Sequence, residues 1–233
     1  MNNTDNNLKG DRVPELLYIN LFYYFLANPI ARILKNTRVT PNQITFTAII
    51  ISIIASCIMV FSDENNAYLS IPIILLLPLF NVLDGALARE KNLFTAFGDW
   101  INRVSERVEY LFIGTAFAWF TYKVTFDIQL LFFALVSLAI REGIGVLNTF
   151  TKISVKNSDQ LVFMKYFKTS KNKFFMFLRR TFTYGGNMYI LLICIGIIFK
   201  SHYFLIYFML YYGIISYLLG LIIIGKEIYN LSD

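Results

Sequence analysis

The sequence predicts an all-α integral membrane protein, with six transmembrane helices preceded by an N-terminal interfacial amphipathic helix. Three observations predict it. Hydrophobic residues make up 57% of the 233 residues and charged residues only 15%, where a soluble domain carries roughly 25% charge. The mean hydropathy is +0.57. Apolar stretches close to the ~20 residues that cross a bilayer core recur along the chain, separated by short polar turns.

The elements follow in order. Residues 1–12, "MNNTDNNLKGDR", are polar, lack the apolar run of a signal peptide and read as a flexible tail. Residues 13–230 read as a single six-helix membrane domain. From Asp11 to Arg38 an apolar and aromatic centre is punctuated by Pro14 and Pro29 and flanked by Arg12, Arg32, Lys35 and Arg38, the pattern of a juxtamembrane helix in the interface plane. The first span opens at "TPNQITF", with Thr40 as cap and Pro41 in the first turn, and runs to Phe61. "SDENNA" is a turn. The second span covers Tyr68 to Ala88, the third Phe97 to Thr121 and the fourth Phe126 to Phe150. A basic interval at 151–180 carries Lys152, Lys156, Lys165, Lys168, Lys171, Lys173, Arg179 and Arg180. The fifth span covers Asn187 to Phe199, or starts earlier, near Phe182, and the sixth covers Tyr203 to Ile224.

Orientation follows from Lys and Arg in the loops. The N-terminal segment, the Arg89–Lys91 turn, the 151–180 interval and Lys226 fall on one side, which is therefore cytoplasmic. Six spans place both termini and the 81–108 stretch there. In a bacterium the membrane would be the inner, cytoplasmic one. The net charge of +6 is accounted for by this asymmetry, and no aromatic-interleaved nucleic-acid module is present. Cys57 and Cys194 sit in apolar runs and read as buried thiols. A single histidine, His202, gives no basis for a His-based zinc site or a Ser-His-Asp triad.

The chemistry-bearing stretch is "NVLDGALAREKNLFTAFGDWINRVSERV", from Asn81 to Val108. Ionisable residues where hydrocarbon meets water are functional candidates. At helical spacing Asn81, Asp84 and Ala88 share one face of the second span, and Gly98, Asn102 and Glu106 one face of the third. Gly85, Ala88 and Gly98 are small enough for the two helices to approach closely. Oxygen donors from both then converge on a hard cation, Mg²⁺ or Mn²⁺, and Arg89 offers forked donors to a phosphate.

The spacing resembles the signature of the CDP-alcohol phosphotransferases, D-x2-D-G-x2-A-R-x8-G-x3-D-x3-D. "DGALAR" supplies Asp84, Gly85, Ala88 and Arg89, Gly98 follows eight residues later, and "NTRVTPNQIT" resembles the family's lead-in to its first span. The resemblance implies a six-span fold. It also implies transfer of a substituted phosphate from a CDP-linked donor, CDP-diacylglycerol or a CDP-alcohol, to an alcohol or phosphorylated alcohol, with release of CMP. It implies one or two Mg²⁺ or Mn²⁺ ions, membrane lipids as partners and a homodimer. Carried over by position, Asn81, Asp84 and Asn102 stand at the three ligand positions and Glu106 at that of the general base, itself counted with the ligands. Gly85, Ala88, Arg89 and Gly98 stand by the nucleotide and its phosphates.

Two departures stand out. Asn81 and Asn102 bring carbonyl oxygens but no charge, so the four positions carry two negative charges in place of four, and Glu106 is one methylene longer than aspartate. Two neighbouring acids offer compensation. Asp99 reads either as a ligand or as a salt-bridge partner of Arg103, Arg107 or Arg89. Glu109, three residues past Glu106, reads as a deeper ligand or as an ion-pair residue. Arg141 and Glu142, inside the fourth span, read as an internal ion pair or as a cavity pair in which Arg141 binds phosphate. The loop lysines and arginines read as topology and lipid contacts or as acceptor-phosphate ligands. The alternatives to an ordinary family enzyme are a divergent transferase with another donor and a non-catalytic nucleotide- or lipid-binding homologue. A transporter finds no support, because no inverted repeat or pair of broken spans is visible.

Overall fold

The computed structural model describes residues 18–93, 95–156 and 186–232. Seven α-helices are found among them: α1 Tyr18–Leu34, α2 Pro41–Phe61, α3 Ser70–Lys91, α4 Ala96–Thr125, α5 Ile128–Lys156, α6 Gly186–Phe199 and α7 His202–Ser232. The polar tail at 1–12, Arg12 and Pro14, the 157–180 part of the basic interval and Phe182, Tyr184 and Gly185 lie outside the described residues.

Local chemistry sets the helix ends. Thr40 caps α2 in a reciprocal box: its hydroxyl accepts from Gln43 N at 3.3 Å and its own N–H donates to Gln43 Oε1 at 2.9 Å. Pro41 follows in the first turn, where its missing N–H costs nothing. Thr95 caps α4 by accepting from Gly98 N at 2.9 Å. Asp127 Oδ1 accepts from Gln129 N at 2.8 Å, opening α5. Helix α3 stops at Asn92, whose φ of 53° is a left-handed conformation that asparagine tolerates.

Helix α2 is the centre of the site-bearing half. Its buried positions are small or narrow, Ala48, Ser52, Ala55 and Ser56 among them, and α3 and α4 pack along it on either side. Helices α3 and α4 each lean on α2 far more than on each other. Helices α2 and α4 run in the same direction: Asn42 lies by Gly98 at one end, and at the other Lys123 Nζ donates to Val60 O and Ser62 O at 2.9 and 2.7 Å. Beyond α4 come α5 and then α7, with α6 filling between α3, α4 and α7. The main core joins Met59, Ile74, Leu77, Ile113, Phe117 and Ile193. Large apolar side chains such as Phe25, Phe61, Phe199 and Phe204 face outward, as a hydrocarbon solvent permits.

The expectation of six transmembrane helices is not met. Among the described residues four helices are long and apolar enough to cross a bilayer: Pro41–Phe61, Ala67–Lys91, Ile128–Val146 and His202–Ile222. Two expected spans fail for different reasons. The first half of α4 carries Asp99, Arg103, Glu106, Arg107 and Glu109, which interrupt its apolar length. Helix α6 has 14 residues, about 21 Å of helix against a hydrocarbon core of about 30 Å. The helix before the first span also differs from expectation. Tyr23 Oη donates to Leu75 O at 2.9 Å and Lys35 Nζ to Glu90 at 3.3 Å, so α1 runs lengthwise beside α3 rather than across the end of the bundle. Ala27 and Ala31 make this possible by burying against Leu83, Ala86 and Leu87.

Candidate active site

The candidate residues gather where the C-terminal half of α3 meets the N-terminal half of α4, with α2 beside both. Asp84 is 3% exposed. Its Oδ2 accepts from Thr45 Oγ1 at 2.7 Å, and the same hydroxyl lies 3.2 Å from Pro41 O in the first turn of α2. The hydroxyl has one proton, and the shorter distance favours donation to the carboxylate over the helix carbonyl. Placing a carboxylate in an apolar interior is costly unless hydrogen bonds and opposite charge compensate it.

Asn81 lies one turn before Asp84 on α3, and its Nδ2 donates to Glu109 Oε2 of α4 at 2.9 Å. Glu109 is 1% exposed and within electrostatic range of Asp84, Glu106 and Arg141. Glu106 itself is exposed and accepts from Tyr110 Oη at 3.2 Å. Asn102 is half-buried, one turn before Glu106. The Arg141 guanidinium stacks on the Tyr110 ring, 3.5 Å from its centroid, and pairs with Glu142. Arg107 reaches Glu142 from α4 at 3.5 Å.

The structure places the remaining residues as follows. Asp99 is ion-paired to Arg103 at 2.8 Å on the exposed face of α4. Arg141 and Glu142 are an ion pair, with Arg107 added to it. Arg89 is exposed, and a Cβ built on Gly85 would meet only its guanidinium, at 3.7 Å. Gly98 faces Thr95 and Asn42, not α3: a Cβ there would lie 3.0 Å from Thr95 Oγ1 and 3.6 Å from Asn42 Oδ1. A side chain at Gly98 would press on the Thr95 cap, whereas one at Gly85 would make only ordinary contact with Arg89. Ala88 is half-buried on the Asn81–Asp84 face.

Three residues of this region were not singled out from sequence. Thr45 left one faint signal, a hydroxyl recurring with Ser52 and Ser56 along an apolar helix. Tyr110 stands four residues after Glu106, the spacing at which helical neighbours meet. Asn42 gave none beyond its place in the cap.

The donor set suits a hard cation in chemistry: carboxylate and amide oxygens, with no competing sulfur or imidazole. Asn81 Oδ1 and Glu109 Oε1 are buried acceptors with no hydrogen-bond partner among the described residues, which is the fit a cation would complete. Among the described residues no three Asp, Glu, His or Cys side chains cluster as ligands, so any such site draws on an amide.

A buried carboxylate and an amide thus stand together on adjacent helices of a membrane bundle. A protein-family model described as CDP-alcohol phosphatidyltransferase matches residues 38–224, most of the chain, and the chain belongs to that family. It is thus a membrane enzyme of the general kind that transfers a group from a CDP-linked donor. No curated protein matches the chain.

Proposed function

We propose that the chain transfers a phosphate-bearing group from CDP-diacylglycerol or another CDP-alcohol to an alcohol hydroxyl and releases CMP. The observation that carries this reading is Asp84, a buried carboxylate anchored by Thr45 at 2.7 Å within the "DGALAR" segment. In the reaction the acceptor oxygen bonds to the phosphorus distal to cytidine. The bond from that phosphorus to the bridging oxygen breaks, and CMP departs with the bridging oxygen. The acceptor proton passes to Glu106, which Tyr110 orients by its hydrogen bond. Arg89 holds donor phosphate with its two-pronged guanidinium. Arg141, over Tyr110, offsets the negative charge gathered at Glu106 and Glu109. Asp84, Asn81, Asn102 and Glu106 are the residues that would hold Mg²⁺ or Mn²⁺. When bound, such an ion would neutralise charge on the phosphates and ease departure of CMP.

A lipid-linked substrate is favoured by a cleft of about 400 Å³ between α1, α3 and α6, lined by Phe22, Tyr23, Leu75, Pro78, Ile190 and Leu191 among others. The site end is proposed to be cytoplasmic: Arg32, Lys35, Arg38, Arg89, Lys91, Arg103 and Arg107 gather there, whereas Asp63, Glu64 and Asp127 lie at the opposite end.

The test is product analysis with purified protein in nanodiscs. CDP-diacylglycerol is offered with mixed alcohols and alcohol phosphates, and CDP-choline or CDP-ethanolamine with diacylglycerol, each with Mg²⁺, with Mn²⁺ and with chelator. A new phospholipid or phosphodiester formed together with CMP is the expected result. CDP-linked donors recovered intact from every pairing would contradict it.

A further inference from the structure

Glu109 occupies a place that the motif does not assign. It lies one turn beyond Glu106 on α4, fully buried, and its Oε2 accepts from Asn81 Nδ2 at 2.9 Å, joining α4 to α3. Its other oxygen and Asn81 Oδ1 are also buried, and neither has a hydrogen-bond partner among the described residues. Buried acceptors left without a donor are rare in folded proteins, because they have given up water for nothing. Asp84 stands one turn along α3 and within electrostatic range of Glu109. Arg141 lies within electrostatic range of Glu109, but its guanidinium is stacked on Tyr110 and paired with Glu142, so its charge is shared. A carboxylate and an amide carbonyl with acceptor capacity to spare thus stand beside a second buried carboxylate in a poorly solvated place. Such a set calls for a positive charge that prefers oxygen.

We infer that Glu109 is a ligand of a divalent cation held between α3 and α4, together with Asp84 and the carbonyl oxygen of Asn81. Its carboxylate supplies from α4 the charge that Asn81 lacks on α3. The amide at 81 and the acid at 109 form one arrangement: an aspartate at 81 would set two carboxylates against each other at hydrogen-bonding distance. The amide donates to Glu109 and keeps its own oxygen for the ion. The inference rests on the transferase reading for the presence of a cation and adds a ligand outside that reading's four positions.

The test is Mn²⁺ binding by the full chain in nanodiscs without substrate, read from the electron paramagnetic resonance signal of free Mn²⁺. Wild-type protein is expected to bind. Glu109→Gln keeps the side-chain length and an oxygen for Asn81, and is expected to weaken binding by about tenfold or more. Equal affinity in wild type and Glu109→Gln overturns the inference, as does a wild type that binds no Mn²⁺. Should Glu109→Gln fail to fold, Glu109→Asp decides: it keeps the charge but withdraws it by one methylene, so weaker binding is expected, and unchanged affinity overturns the inference. CMP release by the wild type in the same preparation separates the two readings. Release combined with Glu109-independent binding removes Glu109 and keeps the transferase. Glu109-dependent binding without release from any CDP-linked donor keeps the cation site and removes the transferase reading.

Discussion

Asp84 and Thr45 form the smallest unit on which the account depends. Thr45→Val preserves shape and removes the hydroxyl that donates to Asp84 at 2.7 Å. Losing one partner of a buried carboxylate costs about 1–3 kcal/mol, so a lower unfolding midpoint in detergent and roughly tenfold lower CMP release are expected, the latter on the scale of losing about 1.4 kcal/mol. Arg89→Lys keeps the charge and loses the fork. A rise in apparent KM for the CDP-linked donor of about tenfold is expected, with the fold intact because Arg89 is exposed. Asp84, Gly85 and Arg89 were legible in the sequence, because an acid and an arginine are costly in an apolar run and a glycine weakens its helix. Thr45 was not, because a threonine in a helix of isoleucines reads as filler until its partner is known. Glu106 and Glu109 show a second limit. Spacing put Glu106 first, yet packing of α4 on α2 buries Glu109 and leaves Glu106 at the surface. Which of two acids a helix turns inward is decided by its neighbours, not by its own sequence.

At the scale of the element, helix starts were legible because side chains adjacent in sequence make them. Thr40→Ala removes the capping box of α2 and is expected to lower stability by about 1 kcal/mol, measured by thermal unfolding in the presence of CDP-diacylglycerol and in its absence. Since Thr45 lies one turn after the start of α2, activity is expected to fall with stability. Crossing the membrane was less legible. Apolar segments were visible in all six places, but α4 spends its first half on charged residues and α6 is short. The helices were found; the capacity of two of them to span was overestimated. Likewise α1 has the flanking arginines of an interfacial helix, but Ala27 and Ala31 let it run along α3. Small residues at that spacing are compatible with either placement until a partner surface is known.

The assembly of the whole molecule was the least legible level, because an apolar face carries no address. Gly85, Ala88 and Gly98 suggested direct contact between α3 and α4; in the structure α2 lies beside both and takes most of the packing. The charge distribution was legible and leads to a topology prediction. In a Cys57→Ser, Cys194→Ser background, Asn66→Cys and Leu93→Cys occupy exposed positions at opposite ends of α3. A membrane-impermeant thiol reagent is expected to label position 66 from outside sealed cells, and position 93 only after the membrane is opened. Labelling of both from one side would refute the orientation. The most direct measurement of the central claim is CMP release from CDP-diacylglycerol and mixed alcohol acceptors, comparing wild type with Asp84→Asn in nanodiscs with Mg²⁺ or Mn²⁺. The account predicts chelator-sensitive release by the wild type and a loss of about a hundredfold or more when the buried charge is removed. Release undiminished in Asp84→Asn would contradict it.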